Sequence, residues 1–490
     1  MKLRLIRIVS ATIFFSGITL LFLDFTGVMH KWLGWMAKIQ FLPSVLAVNT
    51  ITIAALLLLT ILFGRIYCSV ICPLGIMQDI ISWFRKRRSK KARYRFHYTS
   101  EKKWLRYGFL VTFIVTLALG AHAIALLIAP YSAYGRIASN LLAPLYRWGN
   151  NALAWIAERA GSYAFYSTEV WIRSLPTLII AVITFLTIFI LAWKGGRVYC
   201  NTICPVGTIL GFFSRRSIFV PIIDTDKCRN CGLCEKQCKS SCIDSSAHTI
   251  DYSRCVVCLD CMDSCREGAI SYASRYAKAP AKNKGIDTGR RTFMATAAMV
   301  TGTVAAKAGK RKMMPASDHI RERHTCPVPA GAASIKNFTD HCTACQLCIS
   351  SCPNNVLRPS SSLATLMQPE MYFDKGYCRP ECTICSEVCP AGAIKAVSSE
   401  EKSSIQIGHA VIDLDLCVIN TDNVKCGNCA RRCPAGAISL VRKDTSDNNS
   451  PMIPVVDEER CIGCGACEHL CPAKPAPAIH VKGHEVHRTI

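Results

Sequence analysis

The spacing Cys-x2-Cys-x2-Cys-x3-Cys constrains this chain more than any other feature. It occurs at Cys228, Cys231, Cys234, Cys238 and again at Cys255, Cys258, Cys261, Cys265. Three thiols on one tight loop can each reach a corner of a cubane, and the fourth, on the following turn, reaches a neighbouring centre. The spacing returns at Cys342, Cys345, Cys348, Cys352 and at Cys461, Cys464, Cys467, Cys471. Two looser versions lie between these. Cys378, Cys382, Cys385, Cys389 has one extra residue in its first gap, and Cys417, Cys426, Cys429, Cys433 has a first gap of eight. Zinc sites use pairs of Cys-x-x-Cys rather than a triplet plus one. Disulfide frameworks belong to short secreted chains. The six motifs therefore predict six 4Fe–4S clusters, with these cysteines as the iron ligands.

In the first pair of motifs, Cys228, Cys231, Cys234 and Cys265 should hold one cluster, and Cys255, Cys258, Cys261 and Cys238 the second. Ile250 and Ile270 fit the short strands of a two-cluster ferredoxin fold. Lys239 and Arg266 stand where a proline is usual, and Cys242 is an extra thiol that competes with Cys238 as a ligand. The last four motifs all end in Cys-Pro, at Pro353, Pro390, Pro434 and Pro472. Their irregular middle members suggest nested pairing, first with fourth and second with third. Cys326 stands outside every motif.

Ahead of the motifs run four apolar stretches, about Ile8–Val28, Phe41–Phe63, Tyr107–Ala129 and Leu175–Trp193. Each is near the ~20 residues that a helix needs to cross a bilayer. Lys2, Arg4 and Arg7 precede the first stretch. Eleven Lys or Arg against the single acid Glu101 fill Arg85 to Arg106, whereas Pro130 to Ser174 is sparsely basic. The positive-inside rule places the N-terminus and the Arg85–Arg106 loop in the cytoplasm. The expected fold is a membrane α-helical bundle of about four spans plus α+β ferredoxin-like modules. Its parts are a membrane domain at 1–220, a two-cluster domain at 221–275, a linker at 276–323 and a four-cluster domain at 324–490.

A repeat marks the cytoplasmic ends of the second and fourth stretches. GRIYCSVICPLG (Gly64–Gly75) is echoed 132 residues later by GRVYCNTICPVG (Gly196–Gly207). Both copies leave the membrane on the same side, so the repeat is parallel, with its axis along the membrane normal. Such an axis would draw Cys68, Cys72, Cys200 and Cys204 together. They are candidates for an additional metal or redox site, with four inert packed thiols as the alternative.

The formal charge of +25 does not point to nucleic acid, because no basic stripe falls on a binding module. Cytoplasmic loops explain part of it. Six clusters, each carrying about two negative charges with its thiolates, would offset about half of it. No Gly-x-Gly-x-x-Gly follows a strand and no Cys-x-x-Cys-His is present, so neither a dinucleotide site nor an attached haem is indicated.

Residues 1–275 resemble the NapH-type membrane ferredoxins and their methylamine-utilisation relatives, through four spans, paired Cys-x3-Cys-Pro-[Leu/Val]-Gly and the two-cluster ferredoxin. Residues 287–490 resemble the NapG/MauM-type four-cluster proteins, which begin with a twin-arginine segment, here GRRTFMATAAMV. The resemblance implies a fusion of the two in the bacterial cytoplasmic membrane, relaying single electrons from the quinone pool to a periplasmic redox partner. It also implies export of the four-cluster domain, with the apolar run after Arg290 and Arg291 as a fifth span, a cleaved signal or a peripheral segment. Asp24 and His122, both in apolar stretches, are candidate proton acceptors for quinol oxidation. The alternative is a maturation factor that supplies reductant to the metal or cofactor centres of a periplasmic enzyme. The direction of electron flow stays open at this level. So does the question of whether the chain is an enzyme component or an electron-transfer subunit.

Overall fold

In the computed structural model, residues 2–24, 27–88, 96–276, 325–444 and 450–490 are described. Residues 1–275 and 323–490 form one compact unit, and 276–322 form a second. The twin-arginine segment and the linker expected at 276–323 lie outside the described residues, apart from Tyr276.

The apolar stretches shape the first half. Helix α1 (Lys2–Leu23) and the helix Leu175–Gly195 are long and apolar enough to cross a membrane, and among the described residues no other helix is. The other two expected spans are broken. The stretch at 41–63 divides into α3 (Phe41–Leu46) and α4 (Thr50–Phe63), following α2 (Val28–Lys38). Val48 adopts φ 52° there, and the Asn49 side chain accepts from Thr52 N at 3.1 Å, which starts a new helix. Past α5 (Tyr67–Val70) and α6 (Pro73–Arg88), the stretch at 107–129 divides into α7 (Lys103–Ala118) and α8 (His122–Ile128). Gly120, at φ 74°, ends the first of these, as a left-handed residue past a helix end commonly does. Pro130 then opens α9 (Pro130–Ile137), every residue of which is buried. Next come α10 (Ala143–Arg159), α11 (Leu175–Gly195), α12 (Val198–Thr202) and α13 (Pro205–Ser214).

Helix α2 folds back on α1. Gly17 makes the approach close, since a Cβ there would meet Met36 Sδ at 2.5 Å, and Phe14 meets Trp35 edge to face. The repeat copies pack through α6 and α11, where Ser82 Oγ donates to Ala192 O at 3.3 Å and Arg85 donates to the carbonyl of Trp193.

The ferredoxin-type modules are small antiparallel ladders around cysteine loops. Strand β1 (Phe219–Ile223) pairs with β4 (Ile270–Ser274), and β2 (Ile243–Asp244) with β3 (Thr249–Ile250). In the C-terminal part β5 (Leu357–Pro359) pairs with β6 (Pro369–Met371), β7 (Ile405–Ile412) with β10 (Ile479–Thr489), and β8 (Ile438–Arg442) with β9 (Met452–Val456).

The modules meet opposite ends of α1. At its N-terminus Arg4 pairs with Asp260 at 3.0 Å and Asp263 at 2.7 Å, both in the two-cluster module. Beyond its C-terminus His30 Nε2 lies 3.3 Å from Ser351 Oγ in the C-terminal part. A 22-residue helix is about 33 Å long. The C-terminal contact is broad: Ser132 Oγ donates to Thr343 O at 2.5 Å, and Asn140 Nδ2 to Gln346 Oε1 at 2.8 Å. Gly135 is its tightest point, where a Cβ would sit 2.2 Å from Cys345 O. Gly135→Val should therefore lower stability by about 1–3 kcal/mol through overpacking. Thermal unfolding of the purified chain would report it.

Candidate metal centres

The four regular motifs share one backbone device. The residue after the second cysteine is left-handed in each: Gly232 (φ 67°), Leu259 (61°), Gln346 (65°) and Gly465 (78°). The residue before that cysteine is left-handed too, at Asn230, Val257, Ala344 and Gly463. Leucine and valine avoid this region unless the loop demands it. The turn curls the loop so that amide N–H groups face the sulfurs, as where Ala344 N donates to Cys342 Sγ at 3.4 Å. The irregular motifs lack it: Thr383 and Gly427, each after the second cysteine, have φ −109° and −156°.

In the two-cluster module Cys228, Cys231, Cys234 and Cys265 line one cavity of about 200 Å³. Cys238 lies with Cys255, Cys258 and Cys261 on the other side. Both groupings are those expected from spacing. Cys242, fully buried, lies 3.5 Å from Cys238 and also reaches Cys255. Its thiol donates to Cys238 and lowers that group's pKa against the effect of burial.

The expected nesting of the C-terminal motifs does not occur. Cys389 of the second motif lies beside Cys342, Cys345 and Cys348 of the first. Cys352 of the first lies beside Cys378 and Cys385 of the second. Cys417, Cys426 and Cys429 share a hollow with Cys471, and Cys433 shares one with Cys461, Cys464 and Cys467. Each motif thus lends its fourth cysteine to its sequence neighbour. The loops absorb the irregular gaps locally, so gap length carried no information about partner choice.

These groupings fit four-iron clusters. Burial pushes the Cys464 thiol up to about 12 and the Cys429 thiol to about 11. Free thiols there stay protonated at neutral pH, and ligation to iron would supply the missing stabilisation of the thiolate. Lys402 is a partner that the spacing did not reveal. A capping box at Ser398 and Glu401 opens its helix, Ser399–Ser404. Buried Lys402 Nζ then donates to Cys378 Sγ at 3.2 Å and to two loop carbonyls. Burial pushes the Cys378 thiol up, and Lys402 opposes it.

The repeat cysteines Cys68, Cys72, Cys200 and Cys204 are all buried. Two buried arginines cross between the copies. Arg65 Nη2 donates to Cys200 O at 3.1 Å, and Arg197 Nη1 to Cys68 O at 2.7 Å. Each also approaches the sulfur of its own copy, Arg65 to Cys68 at 3.7 Å and Arg197 to Cys200 at 3.8 Å. Gly75 and Gly207 leave room for them, since a Cβ would meet Arg197 Nη1 at 2.6 Å and Arg65 Nη2 at 2.7 Å. The copies differ at Asp79, which pairs with Arg197 at 2.9 Å, Arg7 at 3.3 Å and Lys239 at 3.4 Å. The equivalent position is Gly211, where Arg106 takes the space, as a Cβ there would lie 1.9 Å from Arg106 Nη2. Lys239 also reaches Asp260 at 3.0 Å, so it pins the two-cluster module to the repeat.

Asp24 and His122 do not come together. Asp24 accepts from Gly27 N and Met29 N and lies 3.3 Å from His30 Nδ1. His122 lies 3.2 Å from Asp340 Oδ1. His30, in an ordinary polar position of α2, had no signal in the sequence. Cys326, outside every motif, is half-buried.

Comparison with known proteins agrees with this layout. A family model described as a 4Fe-4S binding domain matches residues 47–91 and 177–223, the two repeat copies. A 4Fe-4S dicluster domain model matches 341–393 and 422–474. The ferredoxin-type protein NapG of Escherichia coli (strain K12) is 29% identical over 39% of this chain and 85% of its own length. The ferredoxin-type protein NapH of Haemophilus influenzae is 24% identical over 44% of this chain and 64% of its own length. The methylamine utilization ferredoxin-type protein MauM of Methylobacillus flagellatus is 26% identical over 32% and 68%. No solved structure matches. Each dicluster match spans neighbouring motifs, the pairing described above. Cys389→Ser should accordingly perturb the same electron paramagnetic resonance signal as Cys342→Ser, and Cys352→Ser the same one as Cys378→Ser. Motif order, loop geometry and these relatives together make the chain similar to the NapH/NapG-type ferredoxin proteins and support an iron–sulfur electron-transfer protein.

Proposed function

We propose that this chain carries single electrons between the quinone pool and a periplasmic redox partner through six 4Fe–4S clusters. One observation carries the reading: the two ferredoxin-type modules dock at opposite ends of an apolar helix long enough to cross a membrane. The N-terminus and two-cluster module face the cytoplasm, and the four-cluster module faces the periplasm. The broken stretches α3–α4 and α7–α8, together with the embedded α9, complete a bundle in the bacterial cytoplasmic membrane. Iron–sulfur clusters supply one-electron storage when bound. The protein's part is to fix the ligand loops, dock the modules and handle protons.

The proton acceptor for quinol is Asp24 acting with His30. Their chain of contacts ends at Ser351, next to Cys352, so a proton released there leaves beside the residues that hold the outer clusters. His122 is a docking contact to Asp340. A maturation factor that needs few electrons would share the ligands, but it would not require a proton-accepting pair at this position.

The test uses the anaerobically purified full chain. The six ferredoxin-type clusters account for about 24 irons per chain. A menaquinol analogue should reduce them, and Asp24→Asn and His30→Ala should each slow that step about tenfold or more (about 1.4 kcal/mol per tenfold). Reduction by dithionite should be unchanged, and His122→Ala should stay near the unaltered rate. Full iron loading with no reduction by quinol would sink the quinol reading and favour a cytoplasmic donor.

A further inference from the structure

Each copy of the repeat matches a 4Fe-4S binding domain, yet each offers only two cysteines, and a cubane takes four. We propose that Cys68, Cys72, Cys200 and Cys204 jointly hold one 4Fe–4S cluster, a seventh centre shared across the repeat axis, with Arg65 and Arg197 as its counter-charges. This rests on the reading of the chain as an iron–sulfur electron carrier.

The arginines carry the argument. Arg65 is fully buried, and among the described residues no carboxylate pairs with it. Its bonds go to Asn201 Oδ1 at 2.9 Å, to Ser253 O at 3.0 Å, to Cys200 O and to Cys68 Sγ, and its Nε has no partner. A guanidinium stays charged at any physiological pH, so burying one with neutral partners alone is strongly unfavourable. An anion beside it would offset that cost, and the groups it faces are Cys68, Cys200 and Cys204. Arg197, also fully buried, gives part of its charge to Asp79, and Asp79 is itself shared with Arg7 and Lys239. Its Nη2 has no partner. Four protonated thiols would leave both arginines facing neutral sulfur. A cluster with four thiolates brings about two negative charges, one for each guanidinium.

A single ion fits less well. Zinc holds sulfurs at 2.3 Å in a tetrahedron, which places them about 3.8 Å apart. Among the described residues no three His, Cys, Asp or Glu side chains are drawn together tightly enough for one ion.

The position suits a connection between the modules. On one side Tyr131, fully buried and with its hydroxyl unpartnered, stands near Cys345 and Cys389 of the four-cluster module and near Tyr67. Tyr67 and Tyr199 precede Cys68 and Cys200 directly. On the other side Arg65 bonds Ser253 O, two residues before Cys255 of the two-cluster module. One electron arriving from the module beyond Tyr131 leaves toward Cys255, or the reverse, and no bond or proton changes place.

The decisive measurement is iron and acid-labile sulfide on the unaltered full-length chain, purified without oxygen, with a redox titration followed by electron paramagnetic resonance. About 28 irons are expected, and Cys72→Ala/Cys204→Ala should lose about 4 while the six ferredoxin-type signals persist. Arg65→Met should keep the iron but shift the additional signal to a more negative potential, and Arg65→Lys should largely restore it. About 24 irons in the unaltered chain, or zinc or copper bound at the four thiols, would overturn the proposal. Because the count on the unaltered chain decides, a variant that fails to fold leaves nothing open. Failure of the electron-carrier reading itself would look different: far fewer than 24 irons and no ferredoxin-type signals.

Discussion

Two buried guanidiniums crossing between the repeat copies are the constraint around which the rest of the structure is arranged. Each arginine bonds the carbonyl of the other copy's first cysteine, so neither copy can shift without breaking a bond in both. Gly75 and Gly207 leave the space that the two guanidiniums occupy. From this knot the contacts spread outward. Asp79 gathers Arg7 of α1 and Lys239 of the two-cluster module, and Ser253 of that module accepts from Arg65. The ferredoxin fold is thereby fixed to the repeat by charge-assisted bonds in a buried setting, where such bonds are costly to break.

The opposite face is held chiefly by shape, alongside the contact of His122 with Asp340. Helix α9 is buried on all sides, and its small residues let a cysteine loop of the C-terminal part settle onto it. The polar bonds there, Ser132 to Thr343 and Asn140 to Gln346, are short and neutral. Such an interface depends on fit, and one methyl group at Gly135 is enough to disturb it.

Much of this was legible in the chain. The triplet-plus-one spacing grouped Cys228 to Cys265 as the fold groups them, because the fourth cysteine reaches over by a geometry fixed within each motif. The repeat announced that four thiols converge. Partner choice among the last four motifs was not legible, because it depends on which loop folds against which, and the irregular gaps pointed the wrong way. Hydropathy counted apolar residues but not the breaks at Val48 and Gly120, where two expected spans divide. Lys402, His30 and Arg65 look like ordinary polar residues in sequence. Their roles arise from burial beside a thiol, a carboxylate or the facing repeat, which only the packing creates.

The inequality of Asp79 and Gly211 has a consequence for the repeat. The two positions correspond across the repeat, yet one became an anion holding three cations and the other a gap filled by Arg106. A motif repeated in the sequence is thereby given two different surroundings in the fold. Replacing α13 with a second copy of α6 would drive a carboxylate's side chain into the space of Arg106. The reverse exchange would strand Arg7 without its carboxylate and leave Lys239 with Asp260 alone. The two halves are therefore not interchangeable, although both rest on the same module, through Arg65 to Ser253 and Asn201 to Ser240.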